Sequence, residues 1–509
     1  MSAGRARGGV RRRPRAPRAF ASGLLLASIA SACTSGAASV PPDRTSGSPA
    51  ASGAGTTPGT DHTTAPSASG GGTTTPSPSG GGTTTPIDPA TCPVPATAAP
   101  PADRPDYTMR LRLDPVLGTV TGTLRVAFTA DVATDRLVFR MWPNGPRQAG
   151  EGALLTAGPV TSGGERLPTG QPDPTTLVVH PPSPLAAGES ITVSMPFRLQ
   201  TPGGVLDRIG HDRGTMWLGS FFPILAWEPG AGWATDPPTT SLAEASTSTT
   251  SDYHVTIDAP QGAAVFASGV RAGDRWTALD VRDFAVGVGR FTSATTTVRA
   301  PNAVRVTVGV EDGLRITPQD AVGRVARDLA LVSKLYGTYP WPQLHLVITR
   351  DIGRAGIEYP TMIFEGAASF ALTVSHEVSH QWFYSLVGDD QARDPWLDEA
   401  LATWAAANVS NYLGYMRSQT AHGLELSHVA YPMTYWDRHQ DDYGEGVYWR
   451  GAQALDALGP VDAVNCALRR YVAEYAYRIA TTPDLIASLA EVFPDAPKVL
   501  APFGIPAKG

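Results

Sequence analysis

Along residues 104–300, apolar and polar positions alternate with a period of two. Tyr107, Met109, Leu111 and Leu113 interleave with Thr108, Arg110 and Arg112. Leu124, Val126 and Phe128 repeat the pattern, as do Ile191, Val193, Met195 and Phe197, then Tyr253, Val255 and Ile257. Broken by Gly and Pro, this period predicts a half-buried antiparallel sheet domain over 101–300. From about 301 the period changes. Val304, Val306 and Val308 predict one strand, and Leu344, Leu346 and Ile348 another. Val322, Val325, Ala326, Leu329 and Val332 recur at helical spacing and predict an amphipathic helix over 319–336. Helical segments follow at 369–386, 396–412, 446–458, 461–476 and 482–493. The fold class is therefore α+β, with a β domain first and a second, helix-rich domain over 301–509.

Ahead of both lies a different kind of sequence. Seven Arg between Arg5 and Arg18 precede the apolar run Leu24–Ala30 and then small residues up to Cys33. A basic start and a short apolar stretch read as an export signal, too short to span a bilayer permanently. Ala30-Ser31-Ala32-Cys33 resembles a bacterial lipobox, in which Cys33 carries the lipid and becomes the first residue; ordinary signal cleavage is the alternative. Residues 34 to about 100 are mostly Ser, Thr, Gly, Pro and Ala with almost no large apolar residue, and SGGGTTTP occurs at 69–76 and again at 79–86. Such a stretch cannot bury enough apolar surface to offset its ordering entropy, and it reads as a disordered linker. The expected location is the outer face of the cell membrane, held through Cys33, or else simple secretion.

Removal of residues 1–32 takes away seven Arg and no acid, so the formal charge moves from −6 to −13. An acidic mature chain argues against a nucleic-acid partner. The chain has three cysteines. With Cys33 lipidated, Cys92 and Cys466 remain; they pair, as an oxidising compartment permits, or Cys466 is a small buried hydrophobe in its helix. Nothing in the sequence sets an oligomeric state.

The candidate chemistry is His376-Glu377-Val378-Ser379-His380, followed after eighteen residues by Glu399. Imidazoles at i and i+4 share one helix face and can close on a single metal ion. Catalytic zinc takes three protein ligands and keeps a fourth position open, so Glu399 supplies the third. Glu377, beside the first ligand, is placed to act on a water as general base.

HEVSHQWFYSLVG followed by WLDEALA resembles the zinc aminopeptidases of the gluzincin clan, the family of aminopeptidase N and leukotriene hydrolase. Their pattern is HE-hydrophobic-x-HQWFGN, then WLNEG-F/L-A. Tyr384-Ser385 stands here for Gly-Asn, Asp398 for Asn and Ala400 for Gly; none of these falls on a ligand position. The resemblance implies a thermolysin-like catalytic domain, one zinc per chain on His376, His380 and Glu399, and Glu377 as base. Upstream, Gly356-Ile357-Glu358-Tyr359-Pro360 resembles the family's G-M-E-Y-P, a cleft-lining edge strand. Its Glu, here Glu358, binds the substrate's free α-amino group, with Gly356 beside it. Downstream, Tyr448-Trp449-Arg450-Gly451 resembles Y-x-K/R-G, whose Tyr donates to the oxyanion; Tyr443 stands where some members carry another cleft Tyr. The family's segment containing Phe-Pro-Cys-x-Asp-Glu-Pro is missing, so the sequence does not place the second acidic anchor for the amine. No long C-terminal helical-repeat domain is expected.

The implied function is removal of N-terminal residues from peptides outside the membrane. The alternatives are a binding lipoprotein on an inactive peptidase fold, or hydrolysis of a non-peptide substrate at the same zinc.

Overall fold

The computed structural model describes residues 86–506, apart from 205–206, 242–246 and 422. The export signal, Cys33 and most of the linker lie outside the described residues. Within them, no helix is long and apolar enough to cross a membrane.

The period-two segments form the predicted strands. Asp106–Asp114 buries Tyr107, Met109, Leu111 and Leu113 and exposes Thr108, Arg110 and Arg112. It pairs antiparallel with Thr119–Thr129, which pairs antiparallel with Ser190–Gln200. On its other side, however, it pairs parallel with Ser251–Asp258, residue for residue from Asp106↔Asp252 to Arg112↔Asp258. The nine-stranded sheet is therefore mixed, not antiparallel. Alternation reports which face is buried and is blind to the direction of the neighbour. Parallel pairing needs a long connection, and here more than a hundred residues intervene.

The second sheet has five strands in the spatial order Phe291–Ala300, Asn302–Glu311, Gln343–Thr349, Met362–Gly366 and Gly356–Tyr359. Its first hairpin thus begins before the change of period at 301. Gly356–Tyr359 is the free edge, antiparallel to Met362–Gly366. The helix Pro318–Tyr336 starts where Thr317 accepts from the Asp320 N–H and Pro318 fills the first turn, where its missing N–H costs nothing. Its face of Val322, Val325, Leu329 and Val332 is buried as the spacing requires.

Two helices carry the zinc motif. Phe370–Ser379 stops at the second His, which caps it, so the expected 369–386 segment is shorter by most of two turns. Beyond it, Tyr384 sits at φ +115°, where the family pattern has Gly. A side chain in such backbone costs on the order of 1–3 kcal/mol, and only over-determined surroundings hold it; Tyr384 is buried. Trp396–Val409 buries every residue but Asn408, as an all-round apolar helix must. The helices end with Val461–Tyr475, Thr482–Val492, Ala496–Leu500 and the short turn Ala501–Phe503, and the described residues contain no helical-repeat array.

Residues 86–100 belong to the linker by composition, but in the structure they run against these last helices. Cys92 is disulfide-bonded to Cys466 of Val461–Tyr475. The Ile87 N–H donates to the Glu491 carbonyl at 2.9 Å, and the Ala98 N–H to that of Ala473 at 2.8 Å. Local composition cannot see a covalent tie 374 residues away.

Candidate metal centre

His376 lies in the last turn of its helix and His380 caps it, so both imidazoles leave the same side. Behind them the helix is fixed by polar contacts: Ser375 Oγ donates to Asp328 Oδ2 at 2.7 Å, and Arg324 Nη2 donates to Ser375 Oγ at 3.0 Å. Glu399 lies in the first turn of Trp396–Val409. The loop before it is pinned by Arg393, which reaches Glu228 at 3.1 Å, Asp236 at 2.9 Å and Asp390 at 3.1 Å. Trp396 Nε1 donates to Thr482 Oγ1 at 2.7 Å, and Trp404 Nε1 to Asn465 Oδ1 at 3.0 Å. The helix rotation that aims Glu399 at the imidazoles is thereby set.

The donor atoms converge. His376 Nε2 lies 2.9 Å from His380 Nε2 and 3.1 Å from Glu399 Oε2, and His380 Nε2 lies 3.5 Å from that oxygen. Zinc–ligand bonds of about 2.0–2.1 Å at tetrahedral angles space the donors by roughly 3.3 Å. The three donors fit zinc in number, chemistry and spacing.

Two residues that the sequence reading left without a role complete the arrangement. Asp398 Oδ1 makes a close ion-pair contact with His380 Nδ1, whose hydrogen bond runs to the Phe383 carbonyl at 3.2 Å, and Gln391 Nε2 donates to the other Asp398 oxygen at 2.6 Å. A proton held on Nδ1 leaves the Nε2 lone pair to the metal. Asp398 is not itself on a ligand position, but it touches a ligand through that residue's far nitrogen. Its neighbour Glu399 already occupies the ligand role, and only the helix rotation shows that the adjacent side chain faces the His. Burial pushes the Asp398 carboxyl up to about 7, against the lowering effect of His380. Asp398→Asn is expected to weaken zinc binding about 10–100-fold, read by competition with a chromogenic chelator; an unchanged affinity would remove the role.

The other residue is Gln381. Its Nε2 donates to the Tyr359 carbonyl at 3.0 Å, and its Oε1 accepts from the Thr361 N–H at 2.9 Å. One amide side chain straps the edge strand to the end of the His helix, fixing Glu358 against the metal site. Ligand-capable atoms of Glu358, Glu377 and His380 lie within 4.8 Å of one another. Gly356 is on the same strand: a Cβ there would stand 2.1 Å from Glu377 Cδ, so only Gly leaves space for that carboxylate. Gly356 thus makes room for the expected base.

Glu377 Oε2 is buried without a hydrogen-bond partner among the described residues. Burial holds its carboxyl well above the usual range; His380 opposes this, while Glu358 and Glu399 add to it by like-charge repulsion. Glu365, across the hairpin from Gly356, is also buried and raised, first by burial and then by Glu377, and is bonded by Thr373 Oγ1.

Tyr448 arrives from a π-helical turn, Gly444–Trp449, that leads into the helix Arg450–Asp456. The sequence pattern predicts a regular helix there, and the wide turn is a local irregularity of the kind frequent at functional sites. Gly451 lets this helix close on Trp396–Val409, since a Cβ there would lie 2.4 Å from the Ala400 Cβ. The Tyr448 ring stacks on His376 at 5.7 Å, and its hydroxyl donates to Glu399 Oε1. Tyr443 meets Tyr448 edge-on at 5.6 Å. Burial, with Glu399 beside it, keeps the Tyr448 phenol protonated far above its usual range. All the expected site residues, His376, Glu377, His380, Glu399, Glu358, Gly356 and Tyr448, therefore lie together in one cluster.

Residues 324–501 match the peptidase family M1 domain. Over 185 residues the chain is 29% identical to aminopeptidase M1-C of Oryza sativa subsp. japonica, covering 30% of this chain and 21% of that protein. Over 204 residues it is 26% identical to aminopeptidase B of Homo sapiens, covering 35% of this chain and 31% of the relative. The matched region thus spans between a fifth and a third of the length of these relatives. Among solved structures, the M1 zinc metallopeptidase from Deinococcus radiodurans aligns with a TM-score of 0.58 at 19% identity, over 80% of this chain and 95% of that one. A mutant of that enzyme bound to a Tyr-Ser-Ala substrate aligns with the same score. These structures share the α+β architecture, a β-sheet domain followed by a catalytic region. Zinc is the cofactor that the family implies, and the donor triangle fits it. Residues 324–501 thus carry the peptidase family M1 match, and the similarities of sequence and fold support a gluzincin zinc metallopeptidase of the aminopeptidase N kind.

Proposed function

We propose that the protein is a zinc-dependent aminopeptidase that removes N-terminal residues from peptides outside the cell membrane. One observation carries this reading: Glu358, Glu377 and His380 lie within 4.8 Å of one another, and His380 also belongs to the His376–Glu399 donor triangle. A carboxylate able to pair with a free ammonium therefore stands beside the base and one ligand. An endopeptidase gains nothing from a negative charge there, because its substrates have no ammonium to place on it.

His376, His380 and Glu399 would hold zinc, which would supply a Lewis acid and lower the pKa of an attacking water toward neutrality. Glu377 accepts the proton of the attacking water and passes it to the leaving amine, a task suited to a carboxyl that burial raises above its usual range. The Tyr448 hydroxyl, kept protonated by burial, is the donor to the oxygen that gains charge. Glu358 pairs with the substrate ammonium and so counts residues from the N-terminus.

Turnover of a free-amine peptide and its N-acetylated form tests the reading. The wild type is expected to cut the first and scarcely the second. Glu358→Ala should lower cleavage of free-amine peptides roughly ten- to hundredfold, the worth of a charged hydrogen bond, and leave the blocked ones where they were. Equal wild-type rates on both would make this an endopeptidase. A zinc-loaded protein that cuts neither would favour the binding or non-peptide alternatives.

The outward location is supported by the Cys92–Cys466 disulfide, a bond that persists in oxidising compartments. It is supported too by the basic, apolar and small-residue order of residues 1–33. Cys33→Ser is expected to move the protein from the membrane fraction to the soluble one, or to block its processing. An unmodified N-terminus away from residue 33, found by mass spectrometry, would replace the lipid anchor with plain secretion.

A further inference from the structure

The sequence leaves the Glu358 subsite with one acid and no second anchor. The structure supplies a cation instead, from the N-terminal β half. Arg208 Nη2 donates to Glu358 Oε1 at 3.2 Å, and Arg208 Nη1 donates to the Tyr359 hydroxyl at 3.3 Å. The guanidinium lies 5.7 Å from the centre of the Tyr359 ring. Only 18% of the Arg208 side chain and 4% of the Glu358 side chain are exposed.

The backbone that presents Arg208 is held from several sides. The Asp207 carboxylate accepts from Arg147 Nε, from Gln148 Nε2 and from the Arg208 N–H, at 3.0, 3.0 and 2.7 Å. The Asp207 carbonyl accepts from Trp217 Nε1 at 2.8 Å, and the Arg208 carbonyl from the Gly219 N–H at 3.1 Å. Gly219 also admits the Tyr359 ring, which a Cβ there would meet at 2.0 Å. Gln381 straps the other side of the same strand. Glu358 is thus gripped through its backbone by the catalytic half and through its carboxylate by the β half.

We propose that Arg208 is a positioning residue for recognition of the substrate's free amino terminus, acting through Glu358. The assignment rests on the aminopeptidase reading. Glu358, Glu377 and Glu399 crowd one cleft, and their mutual repulsion favours any rotamer that moves Glu358 away. The fork of Arg208 holds one oxygen of Glu358 and offsets that repulsion, fixing the carboxylate before substrate arrives. A planar fork does this where an ammonium does not, because it satisfies the carboxylate and the Tyr359 hydroxyl together.

A double-mutant cycle on KM and kcat for aminoacyl p-nitroanilides, with zinc content measured for each variant, tests the proposal. Arg208→Ala is expected to raise KM about ten- to hundredfold, with kcat changed far less and zinc still at one per chain. Glu358→Gln should do the same, and the double variant should be no worse than Glu358→Gln alone. Should Arg208→Ala fail to fold, Arg208→Lys carries the test: it keeps the charge, loses the fork, and is expected to raise KM by a smaller factor in wild type and not at all over Glu358→Gln. An unchanged KM, or losses that multiply in the double variant, would overturn the proposal and leave the aminopeptidase reading standing. Absence of turnover in zinc-loaded wild type overturns that reading, and this assignment with it.

Discussion

Glu377→Gln is expected to keep one zinc per chain and lose about a thousandfold or more in kcat. The substitution is nearly isosteric and leaves His376, His380 and Glu399 in place, so the metal content should not change. What disappears is a carboxylate that stands beside the ligands and whose Oε2 is buried without a hydrogen-bond partner among the described residues. A positioned general base contributes typically 10²–10⁴-fold, and this one also returns the proton to the leaving amine. The neighbouring Glu365 is no substitute, because Thr373 already holds it and it lies across the hairpin. Tyr448→Phe is the useful comparison. It removes one donor to a developing charge and should cost about a hundredfold, with KM little altered. Zinc content by plasma emission and initial rates on the same samples check both. A Glu377→Gln protein that retains wild-type turnover, or one that has lost its metal, would remove Glu377 from the role of base.

Stripping the metal with a chelator should abolish turnover, and stoichiometric zinc should restore it. It should also lower thermal stability, for a reason visible in the site. His376 and His380 bring two ring nitrogens to 2.9 Å, and Glu358, Glu377, Asp398 and Glu399 crowd carboxyl groups around them. Arg208, on Glu358, is the guanidinium seen among them. A divalent cation relieves that repulsion. In binding terms, zinc at a thousand times its Kd stabilises the folded state by about 4 kcal/mol, a shift on the order of several degrees for a chain of this size. Scanning calorimetry of stripped and reloaded protein, alongside the rates, gives both readouts. Activity that survives complete removal of metal would discard the zinc mechanism, whatever the family.

The legibility of the site followed from how local each part is. His376 and His380 are one helical turn apart, so their convergence is a property of the helix and was readable from spacing alone. Glu399 was readable because an acid at that distance completes a known ligand set. Asp398 had no role in the sequence, because adjacency to a ligand does not say which way its own side chain faces. The rotation of Trp396–Val409, fixed by Trp396 and Trp404 against Thr482 and Asn465, is what turns it toward His380. Gln381 was visible as part of a motif but had no role until Tyr359 and Thr361 appeared on either side of its amide. Arg208 carried no signal at all, since no spacing rule links residues 150 apart.

The fold divides along the same line. By itself the sequence determined the elements: burial every second residue made the strands, helical spacing and the Thr317–Pro318 cap made the helix Pro318–Tyr336, and the apolar run at 396 made a buried helix. These depend on side chains within a few residues of each other. Only the tertiary structure decided the direction of Ser251–Asp258 beside Asp106–Asp114, because alternation is the same in either direction. It alone decided that the His helix stops at His380, where Tyr384 takes up backbone that Gly would adopt freely. It tied Cys92 to Cys466 and so gave residues 86–100 a place that their composition denies them. And it set Arg208 of the β half on Glu358 of the catalytic half, because the energy of that ion pair comes from burial that neither segment creates alone.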